Sequence, residues 1–402
     1  MTAVSEQIGN WLAAFTDQFP AEPWVQALRE AAFQRFSALG FPTTHNEEWR
    51  FTSVAPIART AFRIGSADKL IRSPEIVEEP DSCVAQAHLA RYASFDQNSF
   101  VALNTAFLDR LVPTTVLRVP PGAVLEQPIE ITYAVPADVA GDPREALPIA
   151  VHPRTLILVG AGAQCAIIET FKGEGFYFTN AVTEIVAAEN SFVDHYKLQQ
   201  ESPEALHIAT LQAQLGRNTN FSSHSISLGG ALVRNDVGVV LSEGTEATLN
   251  GLYIANGSQH IDNHTVIDHA KPHGTSHELY KGILDDQATA VFNGRIIVRK
   301  DAQKTDSKQT NKNLVLSDDA VINTKPELQI LADDVRCTHG ATIGQLDAES
   351  MFYLQSRGIA RPDARNLLIY AFAQDIADRV KLPTLHDSLE RILFEKFHEH
   401  SQ

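Results

Sequence analysis

Between residues 115 and 337, short segments rich in branched and aromatic residues follow one another with no helical period between them. Val116-Leu117-Arg118-Val119, Ile129-Glu130-Ile131-Thr132-Tyr133, Thr155-Leu156-Ile157-Leu158-Val159 and Val182-Thr183-Glu184-Ile185-Val186 open the series, and Thr248-Leu249-Asn250-Gly251-Leu252-Tyr253-Ile254 continues it. Segments of this kind, bounded by glycine, proline, asparagine and aspartate, read as β-strands recurring about every ten residues. Without crossover helices a βαβ sheet is excluded, which leaves a sandwich, a barrel or a solenoid. An array of more than ~200 residues is large for one sandwich or small barrel, whereas a solenoid lengthens by adding coils. The expected fold is mainly β, a right-handed parallel β-helix over residues 81–346. Asn250-Gly251 and Asn293-Gly294 are expected at its tight corners.

Helical periods lie on both sides. Ile8, Trp11, Leu12 and Phe15, then Val25, Leu28, Ala31, Ala32, Phe36 and Leu39, recur at three- and four-residue spacing, with Pro20 and Pro23 between them and Gly40 and Pro42 after them. Residues 1–80 read as a helical domain and linker, the weakly patterned stretch 60–81 being the linker. In Glu47-Glu48-Trp49-Arg50-Phe51, Trp49 and Phe51 are expected to anchor the lobe while the charged residues stay solvated. From Asp347 the helical period returns. Met351, Phe352 and Leu354 lead to a stop at Gly358, and Pro362 opens a second helix with an apolar stripe through Leu367, Leu368, Ala371, Phe372, Ile376 and Val380. A last stripe follows Pro383, so residues 347–402 form a helical domain expected to cap the solenoid.

Charge narrows the partners. The formal charge of −16 argues against a phosphate polymer as main partner, and no basic run in the sequence offsets it. No apolar run is long enough to cross a bilayer, and residues 1–15 lack the basic start of a leader, so a cytoplasmic location is expected. Cys83, Cys165 and Cys337 are far apart and odd in number, which suits reduced thiols.

In Arg336-Cys337-Thr338-His339 the cysteine and histidine stand two apart, so a strand presents both on one face. A thiolate beside an imidazole suits a soft metal ion or an iron–sulfur species; a buried apolar cysteine and a hydrogen-bonded histidine are the alternative. Three cysteines with no Cys-x-x-Cys pair fall short of the roughly four protein ligands a cluster takes. No stably bound cofactor is therefore expected, and any cluster would share its ligands with another chain. His260, Asp262 and His264 alternate along a second strand, as a two-histidine-one-carboxylate metal triad or as hydrogen-bonding groups between coils. Asp285-Asp286, Asp318-Asp319 and Asp333-Asp334 raise the alternative of a β-helix enzyme acting on polysaccharide. Adjacent residues of a strand face opposite ways, however, so turns are the expected place for them. No Gly-x-x-x-x-Gly-Lys-Ser/Thr loop occurs, so the chain should not hydrolyse ATP itself.

Longer words run in a fixed order: Asn263-His264-Thr265, Lys271-Pro272-His273, Tyr280-Lys281-Gly282-Ile283-Leu284-Asp285-Asp286, Val291-Phe292-Asn293-Gly294, Gln309-Thr310-Asn311-Lys312-Asn313-Leu314, Lys325-Pro326-Glu327-Leu328, the Cys337 run and Leu354-Gln355-Ser356-Arg357-Gly358. This series resembles the SufB/SufD family of iron–sulfur cluster assembly proteins. The modest length and Gly340-Ala341-Thr342-Ile343-Gly344-Gln345-Leu346 are more like SufD than its longer paralogue SufB. The resemblance implies a β-helix and a non-catalytic scaffold subunit of an ATPase-driven SufBCD complex. It also implies pairing with a SufB-like chain through the β-helix edges, with a homodimer as the form open to the isolated chain. His339 would be an interface ligand of a transient iron–sulfur cluster shared with that partner, and Cys337 would support it. A SufC-like ATPase would dock on the C-terminal helices, with Arg361, Asp363, Arg365, Tyr370 and Gln374 as candidate contacts. A SufB-type primary scaffold is the nearer alternative, but it would need more cysteines along the solenoid than Cys165.

Overall fold

A computed structural model describes residues 9, 11, 15, 21–108, 114–136 and 147–398. Ile8 and Leu12 of the first expected helix lie outside the described residues. The strands are β1 (Arg63–Ile64), β2 (Asp68–Arg72), β3 (Thr115–Val119), β4 (Ile129–Val135), β5 (Ile149–Val151), β6 (Arg154–Val159), β7 (Gln164–Gly173), β8 (Phe178–Ala187), β9 (Phe192–Glu201) and β10 (Leu206–Leu215). They continue as β11 (Asn220–Ser227), β12 (Leu232–Leu241), β13 (Glu246–Ala255), β14 (His260–His269), β15 (Thr275–Leu284), β16 (Thr289–Val298), β17 (Asp306–Val315), β18 (Val321–Ile330) and β19 (Arg336–Gly344). The helices are α1 (Pro23–Leu39), α2 (Ala55–Arg59), α3 (Ser82–His88), α4 (Ser99–Ala106), α5 (Ala348–Ser356), α6 (Arg361–Ala377) and α7 (Pro383–His398).

Successive strands from β7 onward alternate between two sheets. Sheet A runs β1-β5-β8-β10-β12-β14-β16-β18, with β6 joining β3 to β8, and sheet B runs β2-β4-β7-β9-β11-β13-β15-β17-β19. Leu206 lies beside Leu232 and Leu232 beside His260, 26 and 28 residues on, in parallel register. About seven such turns stack into a parallel β-solenoid. Alternate residues point inward and meet their counterparts in the next coil. Ile185, Ala213, Val239, Ile267 and Ile296 form one such row, all buried, and burying each larger aliphatic side chain stabilises by roughly 1.5–3 kcal/mol.

The corners differ from expectation. Gly162, Asn190, Asn218, Gly244, His273 and Lys304 stack one per coil with φ between 54° and 68°, and each N–H donates to a carbonyl at the corner of the following coil. Asparagine and glycine tolerate this left-handed conformation best. Gly251 and Gly294 instead lie inside β13 and β16. A β-carbon on Gly251 would stand 2.2 Å from the Tyr280 ring, and one on Gly282 would stand 2.3 Å from Tyr253, so each glycine makes room for a tyrosine on the neighbouring strand.

The helices flank the sheets. α1 and α4, with Trp11, pack on the outer face of sheet A against Phe178, Ile208 and Leu232. Glu184 on that face pairs with Arg154 at 2.6 Å and accepts the backbone N–H groups of Ala90, Tyr92 and Ala93, which ties down the chain between α3 and α4. The expected linker contributes β1 to sheet A and β2 to sheet B. α6 and α7 lie along sheet B, where Ile369, Ala373, Ile376, Leu389 and Leu393 cover Leu252, Ile254, Ile283 and Leu314. The C-terminal helices therefore clothe a flank and do not cap the end. Both sheets stop in strands with a single neighbour, β18 and β19. Among the described residues, no helix is long and apolar enough to cross a membrane.

Candidate functional site

Two inward rows of sheet B end at the expected ligands. One runs Cys165, Val193, Phe221, Ala247, Ser276, Ser307, Cys337, and the next runs Ile167, His195, Ser223, Leu249, Glu278, Gln309, His339. Every member before β19 is buried, whereas Cys337 is half-buried and His339 exposed. The reason is positional, since among the described residues no further coil follows β19 to cover them. Cys337 and His339 thus share a face at the mouth of the solenoid. Burial and then the Asp306 carboxylate push the Cys337 thiol above its ordinary value, so a metal bound there would have to displace its proton. Cys165, deep in the same row, is pushed up by burial to about 12, which makes it an inert core thiol.

The interior leading to that mouth is polar. His195 Nε2 lies 3.1 Å from Glu169 and its Nδ1 2.9 Å from Ser223 Oγ. Gln309 Nε2 donates to Glu278 at 2.7 Å. His195 is met on both ring nitrogens, whereas Glu278 and Gln309 share one hydrogen bond and each keeps an unpartnered oxygen.

His260, Asp262 and His264 face outward from β14 and lie beneath residues 47–52. Asp262 is fully buried and takes Arg234 at 2.8 Å, His264 Nε2 at 3.0 Å and the Thr52 hydroxyl at 2.6 Å. His260 Nε2 meets the Thr52 hydroxyl at 2.9 Å, while its Nδ1 meets Thr289 at 2.6 Å. Above them Glu48 lies 3.4 Å from His264 Nδ1 and 2.8 Å from Arg295, Glu47 pairs with Lys325, and the Arg234 guanidinium stacks 3.7 Å over Trp49. The His264 contact, with Arg295, holds Glu48 down at about 2 against burial. Burial disfavours the charged His264 ring, but Asp262 and Glu48 outweigh it and raise its pKa. The three β14 residues therefore clamp the Glu-Glu-Trp-Arg segment to sheet A. Trp49 anchors the segment and Glu47 and Arg50 stay exposed, as expected, whereas Glu48 joins the anchoring and Phe51 is exposed, contrary to expectation. Arg234, Arg295 and Lys325 were missed in the sequence, where an outward charged residue on a strand reads as solvated.

The remaining histidines divide by face. His269 is buried in an inward row, bonded to Ser276 at 2.9 Å, and burial lowers it to about 4. His273 is a corner residue and His277 is exposed on sheet B. The aspartate pairs all fall in turns or bends, and Asp285 takes Arg365 at 2.7 Å.

Of the C-terminal candidates, Arg361 and Asp363 are exposed. Arg365 fastens α6 to the solenoid through Asp285, Tyr370 packs against the helical core, and Gln374 bridges Asp378 and Glu390. The open apolar surface lies nearby, in a groove between α5 and α6 lined by Tyr353, Leu354, Leu367, Leu368 and Ala371, with Phe352 beside it 73% exposed.

Comparison with known proteins agrees with this architecture. A family model described as "SUF system FeS cluster assembly, SufBD core domain" matches residues 143–372. An iron–sulfur cluster assembly SufBD family protein of Synechocystis is 33% identical over 90% of this chain and 89% of its own length. The iron–sulfur cluster assembly protein SufD of Escherichia coli is 38% identical over 57% of this chain and 55% of its own, and the chloroplastic protein ABCI7 of Arabidopsis thaliana is 37% identical over 66% and 56%. With the solenoid, its flanking helices and the Cys-Thr-His run at its mouth, the chain belongs to the SufB/SufD family of iron–sulfur cluster assembly proteins and within it is most like SufD.

Proposed function

We propose that the chain is a scaffold subunit that presents His339, supported by Cys337, to a nascent iron–sulfur cluster completed by a second, SufB-like chain. The observation that carries this reading is the open mouth. β18 and β19 both end their sheets there, Val321, Ile330 and Ile343 are exposed along them, and the inward row finishes in an uncovered imidazole. Unpaired strand edges with apolar residues invite another chain, and two side-chain ligands leave room for thiolates from it. The cluster is cargo assembled and passed on, not a resident group. The α5–α6 groove is the docking place for a SufC-like ATPase, whose cycle would change access to the mouth. Free cysteines fit a reducing, cytoplasmic setting. The Asp pairs, held in turns, give the polysaccharide reading no support.

The test is co-expression with SufB-like and SufC-like partners followed by iron and sulfide quantification on the purified complex. His339→Ala is expected to abolish cluster assembly with the complex intact, and Cys337→Ala to lower it less. Normal cluster yield from His339→Ala would remove the residue from the chemistry, and a larger loss from Cys337→Ala would exchange the two roles.

A further inference from the structure

The outer face of sheet B is only half covered. α6 and α7 lie over the later halves of its strands, and the earlier halves stay open beside the end of α6. There a groove of about 350 Å³ is lined by Thr248, Asn250, His277, Lys308, Thr310, Lys312 and Arg379. Register builds its charge, because His277 lies beside Lys308 and Lys281 beside Lys312, and the turn after α6 adds Arg379. Three carboxylates stand near these cations, and the first, Glu278, lines the groove from the buried side of its strand. Asp375 takes both Lys281 at 2.9 Å and Arg379 at 3.1 Å, and Asp306 stands two residues before Lys308 on the same face. Among the described residues Lys308 and Lys312 make no ion pair. Burial pushes the Lys281 ammonium down, Asp375 pulls it back, and Lys312 and Arg379 depress it again, the signature of like charges gathered together. In a chain of net charge −16 this is a local reversal of sign.

We propose that this groove binds a short phosphorylated small molecule, with Lys308 and Lys312 on its phosphoryl oxygens and the Thr248 and Thr310 hydroxyls and Asn250 amide as further donors. The volume is at the small end of ligand sites, which run from roughly 300 to 1,000 Å³. The Cα atoms of Lys308 and Lys312 are about 13 Å apart along the strand, a distance that two flexible lysine stems close around a diphosphate. Phosphoryl groups put the most charge and the most acceptors into such a volume. The acidic remainder of the surface repels any polyanion long enough to leave the groove.

The experiment is calorimetric titration of the full chain with inorganic pyrophosphate, ADP and hexaglutamate, at low and at physiological salt. Pyrophosphate and ADP are expected to bind, more weakly at the higher salt. The Lys308→Gln/Lys312→Gln double variant should bind each at least about tenfold less tightly, with its melting temperature unchanged because both side chains are exposed. Absence of binding at millimolar pyrophosphate and ADP, or equal affinity in the double variant, would overturn the proposal. Tighter binding of hexaglutamate through the same lysines would overturn it too, by giving the groove to an acidic polypeptide.

Discussion

Glu278 lies wholly inside the solenoid, in the row that ends at His339, with Gln309 as its donor. Burial raises its carboxyl to about 7. An unfolded glutamate titrates near 4.3, so between that pH and about 7 the folded chain holds a proton that the unfolded chain has released. Stability must then fall as pH rises through this window, by at most about 4 kcal/mol for the whole shift. Glu278→Gln keeps an amide oxygen for Gln309 and cannot ionise. Thermal unfolding should find the variant more stable than the parent at pH 8 and no more stable at pH 4; equal pH profiles would show that Glu278 ionises freely. Little of this was legible beforehand, because Glu278 is one of many acidic residues in an acidic sequence and only coil register reveals that its alternation points inward. Gly251 teaches the same lesson. An Asn-Gly pair reads as a turn wherever it occurs, and the Tyr280 ring that accounts for the glycine is visible only across the ladder.

Strands were the legible element. The β-branched runs, their spacing and the lack of crossover helices led to stacked coils because sheet burial imposes a two-residue alternation that a sequence displays directly. Edges were not legible. β2 closes its side of sheet B as an antiparallel strand bearing Asp68, Lys69 and Arg72, the usual means of blunting an edge. β18 and β19 mix Lys325, Glu327 and Arg336 with the exposed apolar Val321, Ile330 and Ile343, and Pro326 is tolerated in β18 because that strand has one neighbour. Val321→Lys with Ile343→Lys should therefore leave the unfolding midpoint of the isolated chain nearly unchanged and abolish pairing with a SufB-like chain in analytical ultracentrifugation. Pairing that survives both charges would move the interface elsewhere.

At the scale of the molecule, one solenoid is gripped on two flanks, sheet A by the N-terminal helices and sheet B by the C-terminal ones. Helical stripes announced both lobes, but where they dock depends on partners such as Glu48 with Arg295, whose separation in the chain no local pattern encodes. The Glu48–His264–Asp262 clamp makes the N-terminal attachment depend on pH. His264, raised, contributes fully below its unfolded value near 6.5 and loses its contribution as pH climbs through the folded value. Glu48, lowered to about 2, contributes above about 4.5 and fails as pH falls toward 2. Attachment should be tightest between these limits. Asp262→Asn, which strips the buried charge from Arg234 and His264, should cost about 3–5 kcal/mol in denaturant unfolding and speed hydrogen exchange across residues 47–52; a midpoint and protection equal to the parent's would show the clamp to be idle.

The solenoid also has unlike ends: at one, sheet B starts in the antiparallel β2 and sheet A in the short parallel strands β1 and β3, and at the other both sheets stop in the long parallel strands β18 and β19. A polymer needs two matching reactive termini per unit, and among the described residues the two ends of this solenoid do not match. A chain of the same kind that settled on β18 and β19 with its own matching strands would use both sets up, and the pair would present neither.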